Sequence, residues 1–190
     1  MSTNALQSLY GGKVAAERAL AGNVGGQKRE QTVLTPKWFL SGLVAVAGLP
    51  LRLDPCADPT NHVGAKYYYT GDPDDGLAAD WAIGGLVYVN PPYADLARWL
   101  AKCAFEGKRG ALIYALIPFR PHRHWFCQHL SGVPIISLAP FPFVGQKQAF
   151  PAPLCVAVWN LPVPRELNMA MSKGRLKNLV TAEIKLTHQK

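Results

Sequence analysis

Acidic residues are scarce in this chain: twelve Asp and Glu stand against twenty Lys and Arg, a formal net charge of +8. The imbalance favours a polyanionic partner, nucleic acid first and an anionic membrane surface second. Long apolar runs are missing too. Each is broken by Pro, Gly or Arg, so no membrane-spanning helix is expected. The opening Met1-Ser2-Thr3-Asn4 lacks the basic start and apolar run of a secretory signal. No Cys-x-x-Cys pair occurs among Cys56, Cys103, Cys127 and Cys155. Neither a zinc site nor a disulfide framework follows, and free thiols in a reducing cytoplasm are expected. His122, His124 and His129 lie close in sequence, but no acidic or thiol ligand completes a set, so no metal is expected.

What remains is enough for one core. The chain has 190 residues, 49% of them hydrophobic, and reads as one domain with tails. Residues 1–30, rich in Ala, Gly, Ser, Asn and Gln, read as a flexible arm or lid, or a disordered leader. Residues 31–164 form the body. Residues 165–190 form a basic tail with six Lys or Arg and two acids.

Within the body, Thr35 reads as a helix N-cap with Pro36 at the first helical position. Trp38, Phe39, Leu43, Val46 and Ala47 give that helix one apolar face, and it ends near Gly48. Leu51-Arg52-Leu53 is a short strand ending at Asp54-Pro55, and Tyr67-Tyr68-Tyr69 a second. Leu86-Val87-Tyr88-Val89 reads as a buried strand. A helix over Asp95–Phe105, ended by Gly107, leads to Gly110–Ile117, the cleanest buried strand. Phe119–Leu130 is basic, aromatic and partly helical. Val133–Leu138 and Leu154–Trp159 are strands without a crossover helix between them. The alternation predicts an α/β sandwich with a mostly parallel sheet, its last two strands pairing antiparallel at an edge.

The most informative residues are Asn90-Pro91-Pro92-Tyr93. Two prolines end the preceding strand, because neither donates to a ladder nor continues a helix. That leaves an amide, backbone carbonyls and an aromatic ring at a strand's carboxyl end, where open α/β sheets bind ligands. The Asn90 side-chain oxygen and the Pro91 carbonyl suit the two N–H groups of an exocyclic amine, and the Tyr93 ring suits stacking. The alternative reading of the same residues is a polar turn after a strand.

Asn-Pro-Pro-Tyr after a strand resembles the catalytic motif of amino-group methyltransferases that use S-adenosylmethionine. The wider series resembles phage-type DNA adenine-N6 methyltransferases of the Dam family. Its pieces are Thr35-Pro36-Lys37-Trp38-Phe39, Leu53-Asp54-Pro55-Cys56-Ala57-Asp58, Asp74-Asp75-Gly76-Leu77-Ala78-Ala79-Asp80-Trp81 and Tyr88-Val89-Asn90-Pro91-Pro92-Tyr93. Ile117-Pro118-Phe119-Arg120, His124-Trp125-Phe126 and Phe150-Pro151-Ala152-Pro153 follow. The resemblance implies a Rossmann-like methyltransferase fold, with residues 31–164 as the catalytic domain. It implies methyl transfer from S-adenosylmethionine to adenine N6 of DNA, in a bacterial or phage-infected cell. Catalysis would rest on Asn90, Pro91, Pro92 and Tyr93, and cofactor binding on Thr35, Pro36, Asp54, Cys56 and Asp75, with Asp72, Asp74 and Asp80 competing for the last role. The Gly-rich turn common after the first strand of methyltransferases is replaced by Cys56-Ala57-Asp58-Pro59-Thr60-Asn61.

Arg120, Arg123, His124 and Trp125, with His122, follow the strongest strand. They suit phosphate contact and base stacking, or else a solvated basic face with Trp125 and Phe126 buried. Lys173, Arg175 and Lys177 read as phosphate contacts or as a solubilising tail. Two rivals stay open. One is an amino-methyltransferase acting on RNA guanine N2 or a protein glutamine. The other is a degenerate fold that only binds nucleic acid.

Overall fold

The computed structural model describes residues 33–71 and 75–163, all within one compact unit. Its elements are α1 (Lys37–Ala47), β1 (Leu51–Asp54), β2 (Tyr67–Tyr68), β3 (Leu86–Val89), a 3-10 turn (Tyr93–Asp95), α2 (Leu96–Lys108), β4 (Leu112–Pro118), α3 (His124–Leu130), β5 (Ile135–Ser137) and β6 (Leu154–Trp159). The six strands form one sheet in the order β2-β1-β3-β4-β6-β5. β2, β1, β3 and β4 are mutually parallel, and β6 runs against both β4 and β5. The antiparallel pair lies at the edge, as the sequence suggests. The reversed strand itself, β6, stands one place in and is buried along its whole length.

Strand periodicity sorts the core onto two faces. Leu86, Tyr88, Tyr114, Leu116, Val156 and Val158 face α1, packing on its Phe39, Leu40 and Leu43. Val87, Val89, Ile113, Ala115, Ile117, Ala157 and Trp159 face α2, packing on Trp99, Leu100 and Cys103. The buried positions of α2 are Leu96, Trp99, Leu100, Cys103 and Glu106, a stripe at helical spacing. Glu106 is buried but not bare. It pairs with Lys102 at 2.6 Å, and Lys102 also donates to the Ala79 carbonyl at 2.7 Å. This ties the connector before β3, with its buried Trp81, to α2.

Several boundaries differ from expectation, each for a packing reason. Helix α1 buries Leu40 and leaves Trp38 at the surface, 38% exposed. Helix α2 runs through Gly107, because a bare backbone is what the site requires: a Cβ there would lie 2.4 Å from the Trp159 ring. The turn after it is made at Gly110 instead, with φ of +96°. The β1–β2 connection is a loop, as the sequence reading has it. Asp58 accepts from the Thr60 and His62 backbone N–H groups, and Asn61 exchanges two hydrogen bonds with the Ala65 backbone. These side chains supply locally the backbone partners that a helix would otherwise provide.

One close approach fixes the connector after β2 against the end of β1. A Cβ on Gly76 would stand 1.7 Å from the Pro55 carbonyl oxygen, and backbone cannot yield as a side-chain tip does. Gly76→Ala should therefore lower stability by about 3 kcal/mol, the upper end for overpacking. Denaturant unfolding checks this, and Gly76→Ala as stable as the parent would show that the connector is loosely held.

Candidate active site

The chain runs outward from β1 to β2, then crosses back over β1 to enter β3. β1 and β3 are thus the neighbours at which the winding reverses, and the crevice beyond their carboxyl ends is where doubly wound sheets bind ligands. Asp54 closes β1 and Asn90 follows β3, so both stand at that point.

Tyr88 and Asn90 are two residues apart and share the α1 side of the sheet. The segment entering α1 crosses in front of them. The Asn90 Nδ2 donates to the Val33 carbonyl at 2.9 Å and lies 3.4 Å from the Thr35 Oγ1. A carbonyl accepts only, so the amide nitrogen must face Val33, and the oxygen faces the other way. Among the described residues the Asn90 Oδ1 is buried with no partner. A buried acceptor left unsatisfied costs about 1–3 kcal/mol, which makes it a place awaiting a donor. Among the described residues nothing donates to the Pro91 carbonyl, while the Pro92 carbonyl accepts from the Asp95 N–H at 3.1 Å.

Thr35 departs from its expected position. The helix begins at Lys37 with Pro36 as its N-cap, and no side chain caps it. The Thr35 hydroxyl is instead 2.7 Å from the Tyr88 hydroxyl. A phenol in a strand core needs a polar partner, and the Thr35 side chain supplies it. The Thr35 carbonyl is 2.9 Å from the His62 Nε2, and Lys37 donates to the His62 carbonyl, so the β1–β2 loop holds this entry segment.

Tyr93 is half-buried. Its ring meets Phe150 edge-on at 5.7 Å, and its hydroxyl is buried with no partner among the described residues. Burial pushes its phenol well above the usual range. Phe150 also helps to line a cavity of about 220 Å³, together with Leu138, Phe141, Pro151 and Leu154. This cavity lies on the same side of the sheet, since β5 ends and β6 begins there.

Asp54 is 3% exposed, and among the described residues no Lys or Arg pairs with it. Its Oδ1 accepts from the Cys56 N–H at 3.1 Å. Burial pushes its carboxyl up to about 7, against the opposing pull of the Cys56 backbone and thiol. Burial, and then the Asp54 charge, push the Cys56 thiol up, so it is held as a thiol. Asp75 is exposed, and its Oδ1 accepts from the Leu77 N–H at 2.8 Å, a turn of its own making. Asp80 is also at the surface, paired with Arg109 at 3.0 Å. Asp72 and Asp74 lie outside the described residues.

Arg120, His122, Arg123 and His124 are all exposed, and neither arginine has a carboxylate partner among the described residues. Trp125 is half-buried and packs against the core beside Phe126, so the cluster divides: cations outward, ring partly inward. Lys173, Arg175 and Lys177 lie outside the described residues. No described helix is long and apolar enough to cross a membrane. The residues that sequence reasoning missed are Val33, His62 and the hydroxyl of Tyr88. The one signal available was a phenol in an otherwise aliphatic strand, two places before Asn90.

The family model described as DNA N-6-adenine-methyltransferase (Dam) matches residues 26–150. The match spans well over half of the chain and contains Thr35, Asp54, Asp75 and the Asn90–Tyr93 motif. The chain belongs to that family of DNA adenine-N6 methyltransferases, and its sheet is of the methyltransferase type. No curated protein matches it.

The buried carboxyl gives a pH signature. Between the ordinary carboxylate range and about 7, folded Asp54 keeps a proton that the unfolded chain releases. Stability from this group therefore falls as pH rises through that window and levels off above it. The full span is worth at most about 4 kcal/mol. Asp54→Asn, which retains an acceptor for the Cys56 N–H, should gain stability over the parent at pH 8 relative to pH 5. Equal differences at the two pH values, measured by denaturant unfolding, would mean that Asp54 titrates normally.

Proposed function

We propose that this member of the Dam family methylates adenine N6 in DNA, with Asn90 and the Pro91 carbonyl as acceptors for the target amine. The observation that carries the reading is the Asn90 amide, its nitrogen turned to Val33 and its oxygen left without a donor. An adenine amine is a poor nucleophile because its lone pair is delocalised into the ring. Two acceptors on its N–H groups favour the pyramidal nitrogen, and they act most strongly as positive charge develops there. Tyr93, with Phe150 against its edge, gives the base an aromatic wall. Adenine N6 is paired inside a duplex, so the base must leave the stack to reach Asn90.

S-adenosylmethionine, when bound, supplies the methyl group as a sulfonium. A buried carboxyl with no cationic partner, at the switch point beside Asn90, fits a positively charged ligand. Asp54 and Cys56 would hold it at the end of β1, with Thr35 and Pro36 alongside. Asp75, brought against the end of β1 by Gly76, would accept from its adenine amine with the carboxylate oxygen not used by Leu77.

Arg120, Arg123 and His124 would contact phosphates at the rim, and Trp125 a base. Lys173, Arg175 and Lys177 would add contacts without sequence preference. No connection among the described elements is long enough for a separate recognition domain, which supports short or low sequence specificity.

The test is incubation with labelled S-adenosylmethionine and unmethylated DNA, followed by nucleoside analysis, with RNA and a release-factor-like protein in parallel. Label in N6-methyladenine is expected. Label confined to RNA or protein would transfer the reading to the corresponding rival. Asn90→Ala should lower kcat by about 100-fold or more, as removal of one preorganised electrostatic contact does, with cofactor affinity kept in calorimetry. Full activity in that variant would refute the assignment.

A further inference from the structure

The geometry points to Tyr88 as a positioning residue for Asn90, acting through the Thr35 hydroxyl. This inference rests on the reading of Asn90 given above, and names what orients it.

Tyr88 is 1% exposed and lies in a strand whose other members are Leu86, Val87 and Val89. Phenylalanine would fill the same volume without a hydroxyl to desolvate. Among the described residues the hydroxyl has one partner, the Thr35 Oγ1 at 2.7 Å. That Oγ1 is also the second neighbour of the Asn90 Nδ2, at 3.4 Å. The three groups are linked across 53 and 55 residues of sequence separation, ending at the amide whose oxygen has no partner among the described residues.

A threonine hydroxyl is both donor and acceptor. Thr35 receives the Asn90 N–H only while its own proton points elsewhere, and its bond to the Tyr88 hydroxyl, in which either oxygen can donate, restricts the hydroxyl rotor to that state. Without Tyr88 the Thr35 proton is released toward Asn90. A donor at that position favours the flipped amide, oxygen toward Thr35 and nitrogen toward the crevice. The flipped amide presents N–H to an incoming amine, which repels it. The Val33 carbonyl opposes the flip, and the hydroxyl pair adds a second constraint of the same sign.

Tyr88→Phe keeps the ring and removes the hydroxyl. It should lower kcat about tenfold, the effect of one net hydrogen bond at the upper end of its range, with the KM for DNA and the affinity for S-adenosylmethionine within about twofold of the parent. Thr35→Val should lower kcat at least as far, and Thr35→Ser should restore it. The Asn90 side-chain amide, identified by its loss in Asn90→Ala, gives a readout independent of activity. In Tyr88→Phe its nitrogen-bound protons should shift and exchange with solvent faster. Unchanged amide signals, with or without a fall in kcat, would overturn the inference. So would a kcat within twofold of the parent in both Tyr88→Phe and Thr35→Val. A parent protein that methylates no DNA would defeat the proposed function instead, and the amide signals would still decide the role of Tyr88.

Discussion

The site depends on a single asymmetry, which is that a backbone carbonyl accepts hydrogen bonds and never donates them. Because Val33 offers a carbonyl to Asn90, the amide nitrogen is held on that side and its oxygen is directed away from it. A serine or a water in that place would allow both orientations, and the motif would lose its direction. The residues around it serve this arrangement. His62 and Lys37 hold the segment bearing Val33 and Thr35, and the β1–β2 loop holds His62 through Asp58.

Topology explains why residues so far apart in sequence meet. Reversal of the winding between β1 and β3 sets Asp54 beside the end of the strand that carries Tyr88 and Asn90. The segment before α1 then closes over the same end of the sheet from the opposite face to α2. Gly76 completes the enclosure by letting the connector approach the Pro55 backbone closer than any side chain permits. The absence of a glycine-rich turn after β1 is met by Asp58 and Asn61, which satisfy the loop with their own side chains.

Much of this was legible in the sequence, and the reasons are physical. β3 and β6 could be read to the residue because both are buried runs that start after Gly85 or Pro153 and stop at an asparagine, Asn90 or Asn160. The strand edge carrying Asn90 followed from two prolines that cannot extend a ladder. The end of α2 could not be read, because Gly107 serves a contact with Trp159 from 52 positions away, and such a contact leaves no local mark. Thr35-Pro36 has the form of a cap, yet its hydroxyl goes to Tyr88, since satisfying a buried phenol outweighs capping a helix end open to water. The anchor at Val33 was invisible in principle: the contact is made by a main-chain carbonyl, which every residue type possesses.

Both margins of the sheet are short. β2 has two residues and β5 has three, so each margin offers only a few main-chain groups to a foreign strand. Tyr67 and Tyr68 stand at the surface of one margin, with Lys66 preceding them and Arg52 over the Tyr67 ring at 5.5 Å. Brevity and adjacent positive charge discourage edge-to-edge association. A sheet otherwise rich in buried β-branched and aromatic residues is thereby kept from seeding aggregates through its flanks.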